Sequence, residues 1–256
     1  MADQFTYSTH VLPSPQTSPG SCPPPDFAVL VQKYAAARLE ALLTSPNAFA
    51  STHAIESEFT AAQWRSQIWR EDAVILVCVA GPKSLDTEAP EASPFTDEWV
   101  GTATLCPLPA SEYGLAPESG RPTAGNDEDE TKWHMMAMFA SEAHRGRGIS
   151  RMLIQAGKDY AVERNQADPR SGLIMPRRGV RLRVMMIHPQ NTVILALYSK
   201  TGFVDVGRAT RQEAYRSNGN ISAWDLKFDT LTEEEKVFWT TARMAIVLEW
   251  LSETRS

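Results

Sequence analysis

The first fifth of the chain predicts a strand, a polar loop and a long helix. Residues 5–11 alternate between apolar and polar side chains, which is the period of a strand with one buried face. Residues 13–25 are rich in proline and serine, so a loop is predicted there. Asp26 occupies an N-cap position, apolar residues recur at helical spacing from Phe27, and Ser45-Pro46 ends the predicted helix.

The next segment predicts a second helix and a hairpin. Apolar positions at helical spacing begin at about Thr60. The continuous apolar run 73–81 ends at Gly-Pro, as a buried strand does, and the β-rich residues 99–108 are its predicted hairpin partner. Two polar connections, 82–97 and 109–130, are predicted to be exposed loops.

The second half predicts a strand–helix–strand crossover followed by shorter elements. A strand at 133–140 leads into a helix that begins after Gly148. The later elements are a strand at 180–188, a helix at 191–201 and strands at 203–207 and 222–228. This order predicts a mixed α/β fold with antiparallel hairpins first and a crossover unit in the middle.

Residues 231–256 predict a C-terminal helix. Thr232 and Glu235 have the spacing of a capping box. Apolar residues then fall on two helical faces, one of which carries Trp239, Ile246 and Trp250. A helix that is apolar on two faces needs two partners, so a homodimer through this helix is expected, with packing into a groove of the same chain as the alternative.

Composition restricts the class of protein. The 256 residues are 43% hydrophobic and 22% charged, with a net charge of −6, which argues against a general binder of nucleic acid or of membrane surfaces. No apolar run is long enough to span a bilayer. The three cysteines lack metal-ligand spacing, so no metal site is predicted, and reduced thiols in the cytoplasm, or alternatively the nucleus, are expected.

Residues 144–161, HRGRGISRMLIQAGKDYA, place two glycines at the start of an amphipathic helix that follows a strand. Unpaired N–H groups at a helix N-terminus attract anions, and glycine lets a phosphate approach the backbone. The apolar face behind the glycines argues against a disordered Arg-Gly tract that binds RNA. A glycine turn without any ligand remains the alternative.

This turn resembles the R-x-x-G-x-[G/A] motif with which the GNAT superfamily of N-acetyltransferases binds the pyrophosphate of acyl-CoA. The matching residues are Arg145, Gly146, Arg147, Gly148, Ile149 and Ser150. Ser150 departs from the usual Gly or Ala, and its small side chain is expected to be tolerated.

Two further segments carry the same resemblance. Residues 191–203, NTVILALYSKTGF, are similar to the superfamily's N-x-x-A-x-x-[LF]-Y-x-x-x-G-F segment. More loosely, residues 37–51 resemble its first helix and acceptor-side loop. The resemblance implies a GNAT fold over residues 1–228, with a mixed twisted sheet and a central CoA-binding crossover, and 229–256 as a C-terminal helical extension.

The resemblance implies direct transfer of an acetyl group from acetyl-CoA to an amine, and it assigns roles to individual residues. The strand residues Met138, Phe139 and Ala140 are expected to bind the pantetheine arm, with an N–H near Ala140 polarising the thioester carbonyl. Tyr198 is expected to protonate the leaving thiolate, and Asn191 either contacts the CoA arm or only caps its helix.

The general base stays open. His134, Glu56, Glu58 and Glu130 are the candidates, and a chain of water molecules is the alternative to them. The acidic run 127–130 is interpreted as solvated loop rather than as a site for a metal or a cationic amine.

A basic group precedes and enters the strand predicted at 180–188. Its members are Arg177, Arg178, Arg181 and Arg183. We interpret them as residues at a strand edge, with contact to the 3′-phosphate of CoA as the alternative.

The sequence therefore predicts an acetyl-CoA-dependent N-acetyltransferase that acts on a primary amine of a small molecule or a protein. The alternative from another class is a catalytically weak GNAT-like protein that binds acyl-CoA for regulation or interaction.

Overall fold

The computed structural model describes residues 5–18, 20–49, 51–83, 92–166, 179–217, 225 and 228–253. The chain forms two compact units. The first unit contains residues 1–106 and 137–157, and the second contains residues 107–136 and 158–256. No helix in the described ranges is both long enough and apolar enough to cross a membrane.

The first unit contains the elements predicted at the N-terminal end and one short helix, His53–Glu56, where the sequence predicted a loop. They are β1 (Phe5–Val11), α1 (Phe27–Thr44), α2 (His53–Glu56), α3 (Ala61–Ile68), β2 (Val74–Pro82) and β3 (Glu98–Pro107). Asp26 stands at the N-cap of α1 without a side-chain hydrogen bond, whereas Thr60 and Gln63 form a capping box on α3. Residues 13–25 contain no helix or strand where the structure describes them.

An antiparallel meander and two helices build the core of this unit. β1 pairs with β2, and β2 pairs with β3, both antiparallel. Apolar residues of α1 and α3 pack with alternate residues of β2, such as Ile75 and Val77, in one hydrophobic cluster. The predicted hairpin of 73–81 with 99–108 is therefore confirmed.

The remaining elements follow β3 along the chain. They are α4 (Ala110–Tyr113), β4 (Glu130–Ala140), α5 (Ile149–Gln166), β5 (Gly179–Met186), α6 (Thr192–Lys200), β6 (Val204–Ala209), α7 (Arg211–Ser217), α8 (Glu233–Thr241) and β7 (Ala245–Glu253). The short helices α4 and α7 have no counterpart among the elements predicted from the sequence. The strand predicted at 222–228 lies outside the described residues except for Asp225 and Phe228, which are helical.

The strands form one seven-stranded mixed sheet in the order β1-β2-β3-β4-β5-β7-β6. β4 and β5 are parallel over Glu130–His134, as expected for a crossover through α5. β7 runs antiparallel to both β5 and β6. The expected mixed α/β architecture is confirmed.

The C-terminal segment corrects the predicted helix. The helix begins after Thr232 with the predicted capping box but ends at Thr241, and residues 245–253 form β7. Because β7 is hydrogen-bonded between β5 and β6, this segment is part of the sheet and not a separate helical extension. Trp239 on α8 and Trp250 on β7 therefore share no helix face, which removes the basis on which a homodimer through this helix was expected.

Candidate functional site

β4 changes conformation just before the three residues that the resemblance assigns to pantetheine. Its parallel ladder with β5 covers Glu130–His134. Ala137 then has a φ of 51°. A non-glycine residue in this left-handed region is uncommon and marks a local kink or bulge in a strand. Met138, Phe139 and Ala140 follow this kink directly, so the structure places them after a break in the regular pleat.

The turn between β4 and α5 has the backbone that the sequence predicts for an anion site. Gly146 and Gly148 have φ values of 78° and 80°, a region that other residues rarely adopt. A Cβ atom added at either glycine would meet nothing within 4 Å, so the backbone, not the packing, requires glycine. Arg145 and Arg147 are exposed, as are both glycines. A ligand can therefore approach this turn from solvent.

α5 begins directly at the end of this turn. Its first intrahelical hydrogen bond joins the Met152 N–H to the Gly148 carbonyl. The N–H groups of Ile149 and Ser150 consequently lie in the first turn, where a helix offers them no carbonyl acceptor. Ile149 is buried and Ser150 is half-buried, so the helix start is fixed on one side and open on the other.

Gly101 of β3 supports the start of α5. A Cβ at Gly101 would lie 2.6 Å from Ile149 Cγ2 and 3.0 Å from the Phe139 carbonyl oxygen. The helix thus packs directly on the backbone of the sheet. Ser141 adds a second support, since its N–H donates to the Val100 carbonyl at 2.9 Å. Sequence reasoning missed Gly101, because its role depends on the strand register.

Glu56 belongs to a buried ion pair. The Arg38 guanidinium donates from Nε to Glu56 Oε2 at 2.9 Å and from Nη2 to Oε1 at 2.7 Å. The same guanidinium lies 4.6 Å from the centre of the Phe49 ring, which packs in one cluster with Ala137. Both carboxylate oxygens of Glu56 are therefore engaged, and the geometry favours a structural role over that of a free base.

His134 is fully buried in β4. Its Nδ1 lies 3.3 Å from Arg183 Nε, and Arg183 is also fully buried. A protonated His134 would place a second positive charge beside this guanidinium, which costs free energy in a buried environment. Burial lowers the pKa of Arg183 to about 10. This placement also favours a structural role.

The acidic run and the basic strand residues meet in a second buried network. Arg181 pairs with Glu130 (Nε–Oε1 2.9 Å) and with Glu249 (Nη1–Oε2 2.9 Å). Asp127 pairs with Lys132 at 3.0 Å. These contacts belong to the second unit, and among the described residues no group of three or more histidine, cysteine, aspartate or glutamate side chains could hold a metal ion.

The basic residues are not at a strand edge. Arg181 and Arg183 lie on β5, which has β4 on one side and β7 on the other, so the interpretation as an edge is wrong for them. Arg177 and Arg178 lie outside the described residues. Glu130 is ion-paired as Glu56 is, and Glu58 is exposed.

Tyr198 lies on α6 in the second unit and is 4% exposed. Its ring packs edge-on against Phe203 at 5.2 Å between centroids. Burial raises the pKa of Tyr198 above its ordinary value of about 10, so the phenol keeps its proton at neutral pH. Asn191 caps α6, because its side-chain oxygen accepts the Ile194 N–H at 3.2 Å.

Residues 56–170 match the acetyltransferase (GNAT) family. This part of the chain belongs to the GNAT acetyltransferase family. The match includes β4, the glycine turn and α5, so the resemblance carried by Arg145–Ser150 is confirmed. No curated protein matches the sequence significantly.

Three solved structures are similar to nearly the whole chain, at low sequence identity. Arabidopsis thaliana NAA60 in complex with acetyl-CoA is 14% identical, with a TM-score of 0.44 over 98% of this chain and 100% of that one. A GCN5-related N-acetyltransferase from Kribbella flavida is 14% identical, with a TM-score of 0.42 over 94% and 96%. The Escherichia coli ribosomal-protein-S18-alanine N-acetyltransferase is 10% identical, with a TM-score of 0.43 over 98% and 97%. The family assignment rests on the sequence match.

Proposed function

We propose that this GNAT protein is an N-acetyltransferase that moves an acetyl group from acetyl-CoA directly to a primary amine. One observation carries the proposal: an exposed turn with two left-handed glycines, Gly146 and Gly148, opens α5 directly after a kinked strand. Backbone N–H groups at such a helix start bind a diphosphate, and neither glycine carries a side chain that would hold it away.

The donor half of the reaction uses mainly backbone groups. The residues after Ala137 hold the pantetheine arm, and an N–H near Ala140 polarises the thioester carbonyl as charge develops on its oxygen. Arg145 and Arg147 add positive charge on the exposed side of the turn. This division explains why apolar side chains at Met138 and Phe139 are compatible with a catalytic strand.

Proton transfer needs a base for the amine and an acid for the thiolate. Tyr198 is the acid in this proposal, because its buried phenol stays protonated. His134 and Glu56 are held by Arg183 and Arg38, so we assign deprotonation of the amine to water rather than to either side chain.

Release of free CoA tests the activity. The intact protein is incubated with acetyl-CoA and a panel of amines that includes polyamines, aminoglycosides and peptides with free N-termini. Amine-dependent CoA release with a matching acetylated product supports the enzyme. Acetyl-CoA binding without any release across the panel favours the regulatory alternative for these acceptors, and both results are read against a heat-denatured control.

A further inference from the structure

His144, the residue immediately before the glycine turn, is buried in a site formed by β1 and β3. It is only 6% exposed, although the residues on both sides of it are exposed. Its Nδ1 lies 3.1 Å from the Tyr7 hydroxyl oxygen, and its Nε2 lies 3.6 Å from Glu98 Oε1. The rings of Phe5 and Tyr7 meet the imidazole edge-on, at 5.2 and 5.8 Å between centroids.

The strand register explains why this site exists. Tyr7 is paired with Ala80, and Ala80 is paired with Glu98, so the three residues form one row across β1, β2 and β3. Paired residues point to the same face of a sheet, and the small Ala80 leaves space between its two larger neighbours. Phe5, two residues before Tyr7, extends the same face. The imidazole of His144 lies against Phe5, Tyr7 and Glu98 of this face.

The contacts with Tyr7 and Glu98 are compatible with both the neutral and the protonated form of His144. An ionised Glu98 can only accept, so the neutral imidazole carries its proton on Nε2 and its Nδ1 accepts from the Tyr7 hydroxyl. When His144 gains a proton, both nitrogens donate, and the Tyr7 oxygen can accept in turn. Among the described residues, the same turn also carries Arg145 and Glu142, which pair with each other at 2.7 Å.

We propose that His144 is a positioning residue that fixes the 145–150 turn to the sheet and that its protonation strengthens binding of the CoA diphosphate. The inference rests on the proposed function. A positive charge on His144 stands one residue before Arg145, so it attracts the diphosphate, and by linkage the bound diphosphate favours proton uptake. The Glu98 side chain is 59% exposed, so water screens part of the effect, and we expect a change of about 5-fold in affinity.

Dephospho-CoA is the appropriate probe, because it keeps the diphosphate and lacks the phosphate monoester, which itself titrates near pH 6. Calorimetric titrations between pH 5.5 and 8, each in two buffers of different ionisation enthalpy, report affinity and proton uptake together. The wild-type protein takes up protons on binding, and its affinity falls about 5-fold as the pH rises across this range.

His144→Gln keeps hydrogen-bonding groups but cannot change charge, so it gives no proton uptake and a flat affinity profile. His10→Gln is the matched control, since His10 lies on β1 and contacts Ser8 rather than the glycine turn; it keeps the wild-type profile. Glu98→Gln alters an exposed side chain, is tolerated by the fold, and reduces the uptake.

Equal proton uptake in the wild type, His144→Gln and Glu98→Gln overturns the proposal while leaving acetyl-CoA binding intact. If His144→Gln does not fold, the Glu98→Gln titration alone tests the proposal. Proton uptake by Glu98→Gln equal to that of the wild type then overturns the proposal. Failure of dephospho-CoA to bind at every pH contradicts the proposed function itself.

Discussion

Gly101 on β3 lies directly beneath Ile149, the first residue of α5. A Cβ at Gly101 would come within 2.6 Å of Ile149 Cγ2, a separation that real Cβ atoms essentially never show. The absence of one side chain in the sheet therefore decides where the helix that follows the glycine turn can begin. This relationship connects the packing of the first unit to its candidate ligand site.

Gly101→Ala is expected to destabilise the protein by about 1–3 kcal/mol, since overpacking moves the helix start, and to weaken CoA binding as well. Gly114→Ala is the matched control, because a Cβ there meets its nearest atom at 3.8 Å. Urea unfolding and calorimetry measure the two effects. Wild-type stability in Gly101→Ala would show that α5 is not held against β3 in this way.

Glu249 is expected to be the costliest single carboxylate to neutralise in the second unit. It accepts from Arg121 Nε at 2.5 Å, from Arg181 Nη1 at 2.9 Å and from the Tyr113 hydroxyl at 3.0 Å. Glu249→Gln leaves the Arg121 guanidinium without its counter-charge and Arg181 with Glu130 alone, and it should cost about 3–5 kcal/mol of unfolding free energy. Glu234→Gln, on an exposed face of α8, should change stability by less than about 0.5 kcal/mol. Equal effects of the two changes would contradict the network.

Tyr198→Phe separates chemistry from binding. The ring and its packing on Phe203 are kept, so the affinity for acetyl-CoA should stay within about twofold of the wild type, while kcat falls by about 10²-fold through loss of the acid. Steady-state kinetics with the best amine of the panel measure both quantities. An unchanged kcat would remove Tyr198 from the mechanism and leave water to protonate the thiolate.

The pH profile of kcat follows from the same side chain. The amine must lose a proton before it attacks, so the rate rises with pH. Burial raises the pKa of Tyr198, and the protonated phenol is the active form, so the acid is not lost below its ordinary value of about 10. We therefore expect one rising limb and no falling limb between pH 6 and 9.5. A falling limb that disappears in Tyr198→Phe would contradict the direction of this shift.

Local pattern was sufficient to predict much of the fold. The apolar repeat from Phe27 has the spacing of a helix, and the continuous apolar run at 73–81 is typical of a buried strand. Both elements begin and end within about a residue of the predicted positions. Gly146 and Gly148 were also predictable, because their positive φ is a local property that selects glycine.

Features that depend on distant pairing were not predictable. Residues 245–253 are apolar at both odd and even positions, so their pattern fits a helix and a doubly buried strand equally well. The strand conformation is determined by pairing with β5, which lies sixty or more positions earlier in the chain. β5 pairs with β7 from Gly179 to Met186. The positive φ of Ala137 has no local signal either, since alanine does not favour that region.

The most direct test of the account is the stabilisation of the protein by acetyl-CoA. Ligand at about 100 times its Kd should stabilise the native state by about 2.7 kcal/mol and raise the Tm. Gly148→Ala strains a backbone with a φ of 80° and should lose most of this shift, whereas Gly20→Ala, with a φ of 74° and equally open surroundings, carries the same strain in the proline-rich loop and should keep it. Differential scanning calorimetry with and without saturating acetyl-CoA measures all three proteins. A wild-type Tm that does not move, or an equal shift in both variants, would contradict the assignment of the glycine turn as the acetyl-CoA site.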